Sequence, residues 1–341
     1  MDATTTTTQS QKCVACSDPT GGGALDDEKR SAAFPRWRGK AGRLEVWYAT
    51  LSDPLTRAGL WIHCETVAPT QDRAAYAHGW ATWFPRDDSP RTERFGPQPT
   101  QPAAETAWFT AADVRVGPEE LTGHAGSLGW DLRWRDSGTP LWTFPRAAWE
   151  RELLPGAQVV LAPTADFTGS LTIGDTAHRV DGWRGGVAHI YGHGNAKRWG
   201  WIHADLGDGD VLEAVTAVSH TPGLRRLAPM AFVRFRIGGR DWPASLLPSL
   251  RMRTTLGVQH WQLEGRIGGR DVLIRVDQPP DRCVSLAYTD PDGGTAVCTN
   301  TEQADIHIEI GDRHWSVLGT GHAEVGLRGA EAPAVNERTP T

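Results

Sequence analysis

The chain has 341 residues, enough for two domains of ordinary size, and a formal net charge of −6. Lysine occurs only at Lys12, Lys29, Lys40 and Lys197, and this charge balance gives no support to a nucleic-acid partner. No apolar run reaches the roughly 20 residues that span a bilayer. The polar, Thr-rich residues 1–11 lack the basic start and apolar stretch of a secretory signal, so a cytoplasmic location is expected.

Residues 1–32 read as a disordered tail, with Gly21-Gly22-Gly23 as a spacer. Cys13 and Cys16 form a CxxC there. A zinc site needs a second Cys or His pair close by, and none follows, so no metal is expected. From residue 33 the pattern is mostly strand. Strands are expected at 43–51, 58–67, 75–84, 91–95, 112–116, 120–125, 128–135, 157–162, 168–174, 177–183 and 186–191. A short helix at 147–154 stops before Pro155-Gly156. Further strands are expected at 199–205, 211–219, 230–237, 251–257, 258–267, 270–276, 283–289, 295–300, 305–310 and 313–319. Two of them turn through the same string, Arg236-Ile237-Gly238-Gly239-Arg240-Asp241 and Arg266-Ile267-Gly268-Gly269-Arg270-Asp271. Gly-Gly supplies the positive φ angles of tight hairpins. Cys283 and Cys298, on either side of another turn, are expected as reduced thiols. Residues 329–341 read as a second disordered tail. Many strands with little helix mean an all-β fold of barrel or sandwich type.

One motif occurs twice. Gly59-Leu60-Trp61-Ile62-His63-Cys64-Glu65 returns as Trp199-Gly200-Trp201-Ile202-His203-Ala204-Asp205. Leu171-Thr172-Ile173-Gly174-Asp175 resembles Ile308-Glu309-Ile310-Gly311-Asp312, and Gly129-Trp130-Asp131-Leu132 resembles His260-Trp261-Gln262-Leu263. Solenoid repeats have periods of about 20–50 residues. These spacings are far longer, which suggests two duplicated domains, at 33–186 and 187–328. Strand side chains alternate faces, so Trp61, His63 and Glu65 should share one face, as should Trp201, His203 and Asp205.

No P-loop, dinucleotide fingerprint, HExxH or GxSxG motif is present. Tryptophan stands out instead, with 16 residues against 4 Tyr and 8 Phe. Core packing claims many of these indoles, and an aromatic-walled cavity for an apolar ligand is the second use. The densest polar stretch runs from His189 through Tyr191, His193, Asn195 and Trp199 to Asp205. It reads either as a site floor or as a connection between barrels. His189 and His193 have HxxxH spacing, which suits a helix face better than a strand. His78 and Trp80 share a strand face, where a core strand with an incidental histidine is the plainer reading. Glu45, beside Trp47 and Tyr48, is a strand-edge charge or a carboxyl raised by an apolar cavity.

Glu45-Val46-Trp47-Tyr48, Gly59-Leu60-Trp61, Gly192-His193-Gly194-Asn195 and Trp199-Gly200-Trp201 resemble the two-domain lipocalin-like superfamily. It includes carotenoid hydratase (hydroxyneurosporene synthase), tocopherol cyclase and Diels–Alderase-type proteins. The resemblance covers about residues 34–328. It implies two tandem lipocalin-like (calycin-type) β-barrel domains and a hydrophobic substrate, handled without a cofactor. Where the hydratases carry an acidic residue after the motif's tyrosine, Tyr191 is followed by Gly192-His193, which argues against carotenoid hydration. On this reading the chain cyclises, isomerises or hydrates an isoprenoid or polyketide-like molecule. Asp205 or Glu65 would be the general acid, assisted by His203 or His63. Tyr191, His193 and Asn195 would orient the substrate. Trp61, Trp199 and Trp201 would wall the cavity, with His78 and Trp80 as further contacts. The alternatives are a non-catalytic carrier of a hydrophobic ligand and a scaffold whose Trp-His-carboxylate rows pack a domain interface.

Overall fold

The structure, a computed structural model, describes residues 22–71, 73–136, 138–219 and 228–329. The expected CxxC at Cys13 and Cys16 and most of the C-terminal tail lie outside these. Two large antiparallel sheets make up the molecule. The first holds β1 (Arg43–Ser52), β2 (Gly59–Ala68), β3 (Tyr76–Phe84), β4 (Arg91–Pro99), β5 (Phe109–Ala111) and β6 (Val114–Val116). It continues with β7 (Glu120–Ala125), β8 (Leu128–Arg135), β9 (Leu141–Trp142), β10 (Gly156–Ile173) and β11 (Thr176–Gly192). Its order is β4-β3-β2-β1-β11-β10-β8-β7-β6-β5, with β9 paired to β10. The two ends of this path come together where Phe95 meets Phe109, ring centroids 6.4 Å apart.

The second sheet holds β12 (Arg198–Gly207), β13 (Asp210–Val218), β14 (Met230–Ile237), β15 (Arg240–Trp242) and β16 (Arg253–Leu256). It continues with β17 (His260–Ile267), β18 (Arg270–Asp277), β19 (Val284–Thr289), β20 (Thr295–Ile310) and β21 (Arg313–Arg328). Its order is β15-β14-β13-β12-β21-β20-β18-β17-β16, with β19 paired to β20. The two orders run in parallel: each sheet's first strand sits between its second and its last. The all-β, lipocalin-like architecture read from the sequence is therefore what the chain adopts. Among the described residues no helix is long and apolar enough to cross a membrane.

Five features differ from the expected elements. The segment taken as tail up to residue 32 includes helix α1 (Gly22–Ala33). Its end is anchored, since Trp47 Nε1 donates to the Ala33 carbonyl at 3.0 Å. Helix α2 covers only Arg146–Glu150. The paired strands expected at 157–174, 177–191 and 295–310 are single long strands, and β21 runs on to Arg328 rather than stopping at 319. β-Bulges around Ala162 and Ala304 bend these strands without ending them, and in sequence such kinks look like turns. The boundary placed at 186/187 falls inside β11; the chain passes between sheets in the stretch 193–197. Finally, the two Trp-Ile-His segments lie on β2 and β12, but by strand order β12 corresponds to β1. Only the Ile-Gly-Asp turns, β10–β11 and β20–β21, sit at matching places. The Gly-Gly turns behave as expected, with φ of 57° and 73° at Gly238 and Gly239, and 56° and 80° at Gly268 and Gly269.

Period-2 alternation sorts the side chains into three layers. Trp47, Leu60, Ile62 and Cys64 point into the first sheet's core. Ile202, Ala204, Leu212 and Ala323 point into the second. The opposite faces of these strands pack between the sheets, with Trp61, Trp80, Trp199 and Tyr288 in one cluster and Tyr48 and Trp201 in another. Burying an aromatic side chain removes 150–250 Å² from water, worth roughly 4–6 kcal/mol before entropy costs. Tryptophan is thus what holds the two sheets together as well as what fills them.

Candidate functional site between the sheets

A cavity of about 190 Å³ lies in that middle layer. Much of its wall is apolar, with Leu44 and Val46 from β1, Val215 from β13 and Phe232 from β14. Its polar groups come from β1, β2, β10, β12, β19 and β21 and from Asn195 between the sheets. Trp61, His63 and Glu65 all face it, as the alternation along β2 required. His63 Nε2 lies 3.4 Å from Glu65 Oε2, and His78 Nε2 lies 3.5 Å from the same oxygen. Burial alone would raise the Glu65 pKa. Hydrogen bonds from both imidazoles, and their charge, outweigh burial and hold it at about 2. Glu65 is therefore an anion. His63 is pulled below the ordinary histidine range, first by burial and further by His78 and Arg94, against the raising influence of Glu65. Its ring stacks on Trp80 at 4.1 Å and 6°, and Tyr288 closes on its edge at 5.5 Å.

The opposite wall carries a second carboxyl in different surroundings. Glu324 of β21 accepts a hydrogen bond from Trp199 Nε1 at 2.6 Å and one from Cys298 Sγ at 3.3 Å. Burial raises its pKa by more than these bonds lower it, and the charge of Glu302 adds to the rise. One cavity thus holds a carboxylate kept ionised and a carboxyl pushed toward its neutral, proton-donating form.

A third carboxylate stands behind the wall. Glu213 of β13 is fully buried. Its Oε1 accepts from Trp201 Nε1 at 2.6 Å and from Gln158 Nε2, and its Oε2 lies 2.9 Å from His203 Nδ1. Next to it Glu302 contacts Thr50 Oγ1 and His322 Nδ1. These bonds tie β1 and β10 of the first sheet to the second.

Six of the twelve residues singled out from sequence line the cavity: Trp61, His63, Glu65, Asn195, Trp199 and Trp201. Asn195 is held in place by Asp290, whose Oδ1 accepts both the Asn195 backbone N–H and its side-chain amide at 2.8 Å. His78 and Trp80 sit one layer out, touching Glu65 and His63. The other four stand elsewhere. Tyr191 faces the first sheet's core, under the Arg36 guanidinium at 5.2 Å. His193 Nδ1 lies 3.0 Å from Arg43 Nη1. His203 packs behind the cavity against Gly186, where an added Cβ would come within 2.9 Å of the ring. Asp205, half-buried, accepts from Arg184 Nε at 2.9 Å. The β12–β21 ladder ends at the His203–His322 pair, and Asp205 lies beyond it, ion-paired with β11 and away from the cavity. Glu45, read as a strand-edge charge or a cavity carboxyl, lines a separate cavity with Trp37 and Trp47, accepts from the Trp37 backbone N–H at 3.0 Å and pairs with His189 Nε2 at 2.9 Å.

Glu324, Tyr48, Tyr288 and Glu213 escaped the sequence reading. Glu324 lies past Gly319-Thr320-Gly321, a string that reads in sequence as the end of a strand. β21 passes through Gly319 with φ 70°, and the Gly319 N–H donates to Asp305 Oδ1 at 2.7 Å. The alternation of His322 and Glu324 with Ala323 and Val325 was the available signal.

Residues 39–327 match the tocopherol cyclase-like family. The chain belongs to this family. Two uncharacterised proteins of Mycobacterium tuberculosis, from strains CDC 1551 / Oshkosh and ATCC 25618 / H37Rv, are each 79% identical to it over 322 residues, covering 94% of this chain and 98% of theirs. Among solved structures, kievitone hydratase from Nectria haematococca aligns with a TM-score of 0.58 at 12% identity, over 86% of this chain and 91% of its own. CghA bound to Sch210972 aligns at 0.56 and 16%, over 84% and 88%. A putative AttH from Nitrosomonas europaea aligns at 0.54 and 13%, over 83% and 92%. At these identities the likeness to the solved structures is one of fold.

Proposed function

We propose that the chain is a cofactor-independent enzyme that holds a hydrophobic, isoprenoid or polyketide-like molecule between its two sheets and transforms it by acid catalysis. The observation that carries this reading is the opposed state of the two cavity carboxyls, Glu65 held at about 2 and Glu324 raised. Environments that push two titratable groups apart assign the acid and the base. Glu324 donates its proton to an olefin or polarised oxygen of the substrate. Trp61, Trp199 and Trp201 offer π faces to the positive charge that develops. His63, with Nε2–H directed at Glu65, presents the Nδ1 lone pair as the base. Internal attack by a second double bond or oxygen gives cyclisation. Loss of a proton to His63 gives isomerisation. Attack by water, with its proton passing to His63, gives hydration. Membership of the tocopherol cyclase-like family and the fold shared with kievitone hydratase and CghA support this reaction class. Asp205 and His203 have no part in it.

The test is incubation of the purified protein with isoprenoid and polyketide extracts, followed by chromatography and mass spectrometry. A gain of one water means hydration, and a new retention time at unchanged mass means cyclisation or isomerisation. A compound that stays bound and unchanged would favour a carrier. Glu324→Gln, still folded, should lower turnover by about 10²–10⁴-fold, the usual worth of a positioned acid. Unaltered turnover would remove Glu324 from the mechanism.

A further inference from the structure

Among the polar groups of the cavity that the proposed chemistry does not use, the Tyr48 phenol stands out. Tyr48 of β1 is 8% exposed, lines the cavity, and its ring meets Trp201 edge-on at 5.4 Å. Its hydroxyl makes no hydrogen bond to any described residue. The nearby carboxyl oxygens are already engaged, with Glu302 Oε1 the exception. Glu213 accepts from Gln158, Trp201 and His203, Glu302 contacts Thr50 and His322, and Glu324 accepts from Trp199 and Cys298. The hydroxyl opens onto the cavity and is free to donate to a bound ligand; a ligand that seals it in without offering an acceptor leaves it unpaired at a cost.

We propose that the Tyr48 hydroxyl is a substrate-recognising donor, and that the ligand of this cavity therefore carries an oxygen acceptor, a carbonyl, ether or hydroxyl, and is not a bare hydrocarbon. The assignment rests on the cavity between the sheets being the ligand site. Tyr48 suits the role because it keeps its proton. Burial first, then the charges of Glu213, Glu324 and Glu302, push its pKa well up. A phenol that cannot ionise here can still donate, and donation demands an acceptor. A hydrocarbon would leave it unpaired and lose affinity.

The experiment compares two probes of one shape: geranylacetone, and the hydrocarbon in which a methylene replaces its carbonyl oxygen. Binding is read from quenching of tryptophan fluorescence, since three indoles line the cavity. The wild type should bind the ketone about 3- to 10-fold more tightly, the worth of one neutral hydrogen bond. Tyr48→Phe, with folding checked by circular dichroism, should erase that preference and leave the hydrocarbon's affinity unchanged or better. If Tyr48→Phe keeps the preference, or the wild type shows none, the Tyr48 assignment is wrong while the cavity reading stands. If neither probe binds the wild type, the assignment and the cavity reading fall together.

Discussion

Two rows that look alike in sequence, Trp61-His63-Glu65 and Trp201-His203-Asp205, end in different surroundings. On β2 all three side chains face the cavity, and the carboxylate is caught between two imidazoles. Of the row on β12 only Trp201 reaches the cavity; His203 turns to Glu213 of the neighbouring strand, and Asp205 turns to Arg184. The motif is the same, but the strands are not equivalent in the two sheet orders. What a His-carboxylate pair does is set by the strands on either side of it. The row on β2 carries a charge into an apolar cavity, whereas the row on β12 uses a borrowed carboxylate to fasten the sheets.

The sharpest way to break this contrast is to remove that borrowed carboxylate. Glu213→Leu leaves the Trp201 indole N–H and His203 without their acceptor and the Gln158 amide with only Thr143 Oγ1 at 3.3 Å, all in the buried layer. Each buried polar group left without its acceptor costs about 1–3 kcal/mol. Urea unfolding should show a loss of that size. A loss below about 1 kcal/mol would mean that β12 does not lean on β13 in this way.

The two cavity carboxyls sharpen the same contrast through pH. The folded Glu65 titrates at about 2, below the ordinary 4.5. Its stabilising contribution is complete above the ordinary value and fades as the pH falls toward 2. Glu324 works in the opposite sense, because its folded pKa is raised. The folded state keeps a proton that the unfolded chain has already released, so stability declines as the pH climbs above the ordinary value. Urea midpoints measured across this range should show a flatter acid limb for Glu65→Gln. Glu324→Gln should gain on the wild type as the pH rises. An unchanged acid limb in Glu65→Gln would mean that His63 and His78 do not hold its charge.

Much of this arrangement was readable where a strand is uninterrupted. β2 runs straight from Gly59 to Ala68, so period 2 alone put Trp61, His63 and Glu65 on one face. The sheets of lipocalin-like type followed from strand count and turn spacing. The rest was hidden for identifiable reasons. Bulges in β20 and β21 mimic turns and hid Glu324 past Gly319. Partner strands are not encoded locally, so neither Glu213 beside His203 nor Arg184 beside Asp205 was visible. Tyr48 stood in a quoted motif, but only its three-dimensional neighbours show that its hydroxyl is left over.

The smallest expected effect is also the one that most directly separates the two rows. In Asp205→Asn the side-chain oxygen can still accept the Gly207 N–H that Asp205 Oδ1 takes at 2.8 Å. What is lost is the charge opposite Arg184, which keeps a second partner in Asp166. Both ends of the pair are partly solvated, and such pairs are worth about 0–1 kcal/mol. Asp205→Asn should therefore shift stability by less than about 1 kcal/mol. Turnover should stay within about twofold, because the residue touches neither the cavity nor Glu324. A folded Asp205→Asn protein that loses more than about tenfold in turnover would put the acid back on β12. In that event the likeness of the two rows, and not their different neighbours, would be what matters for chemistry.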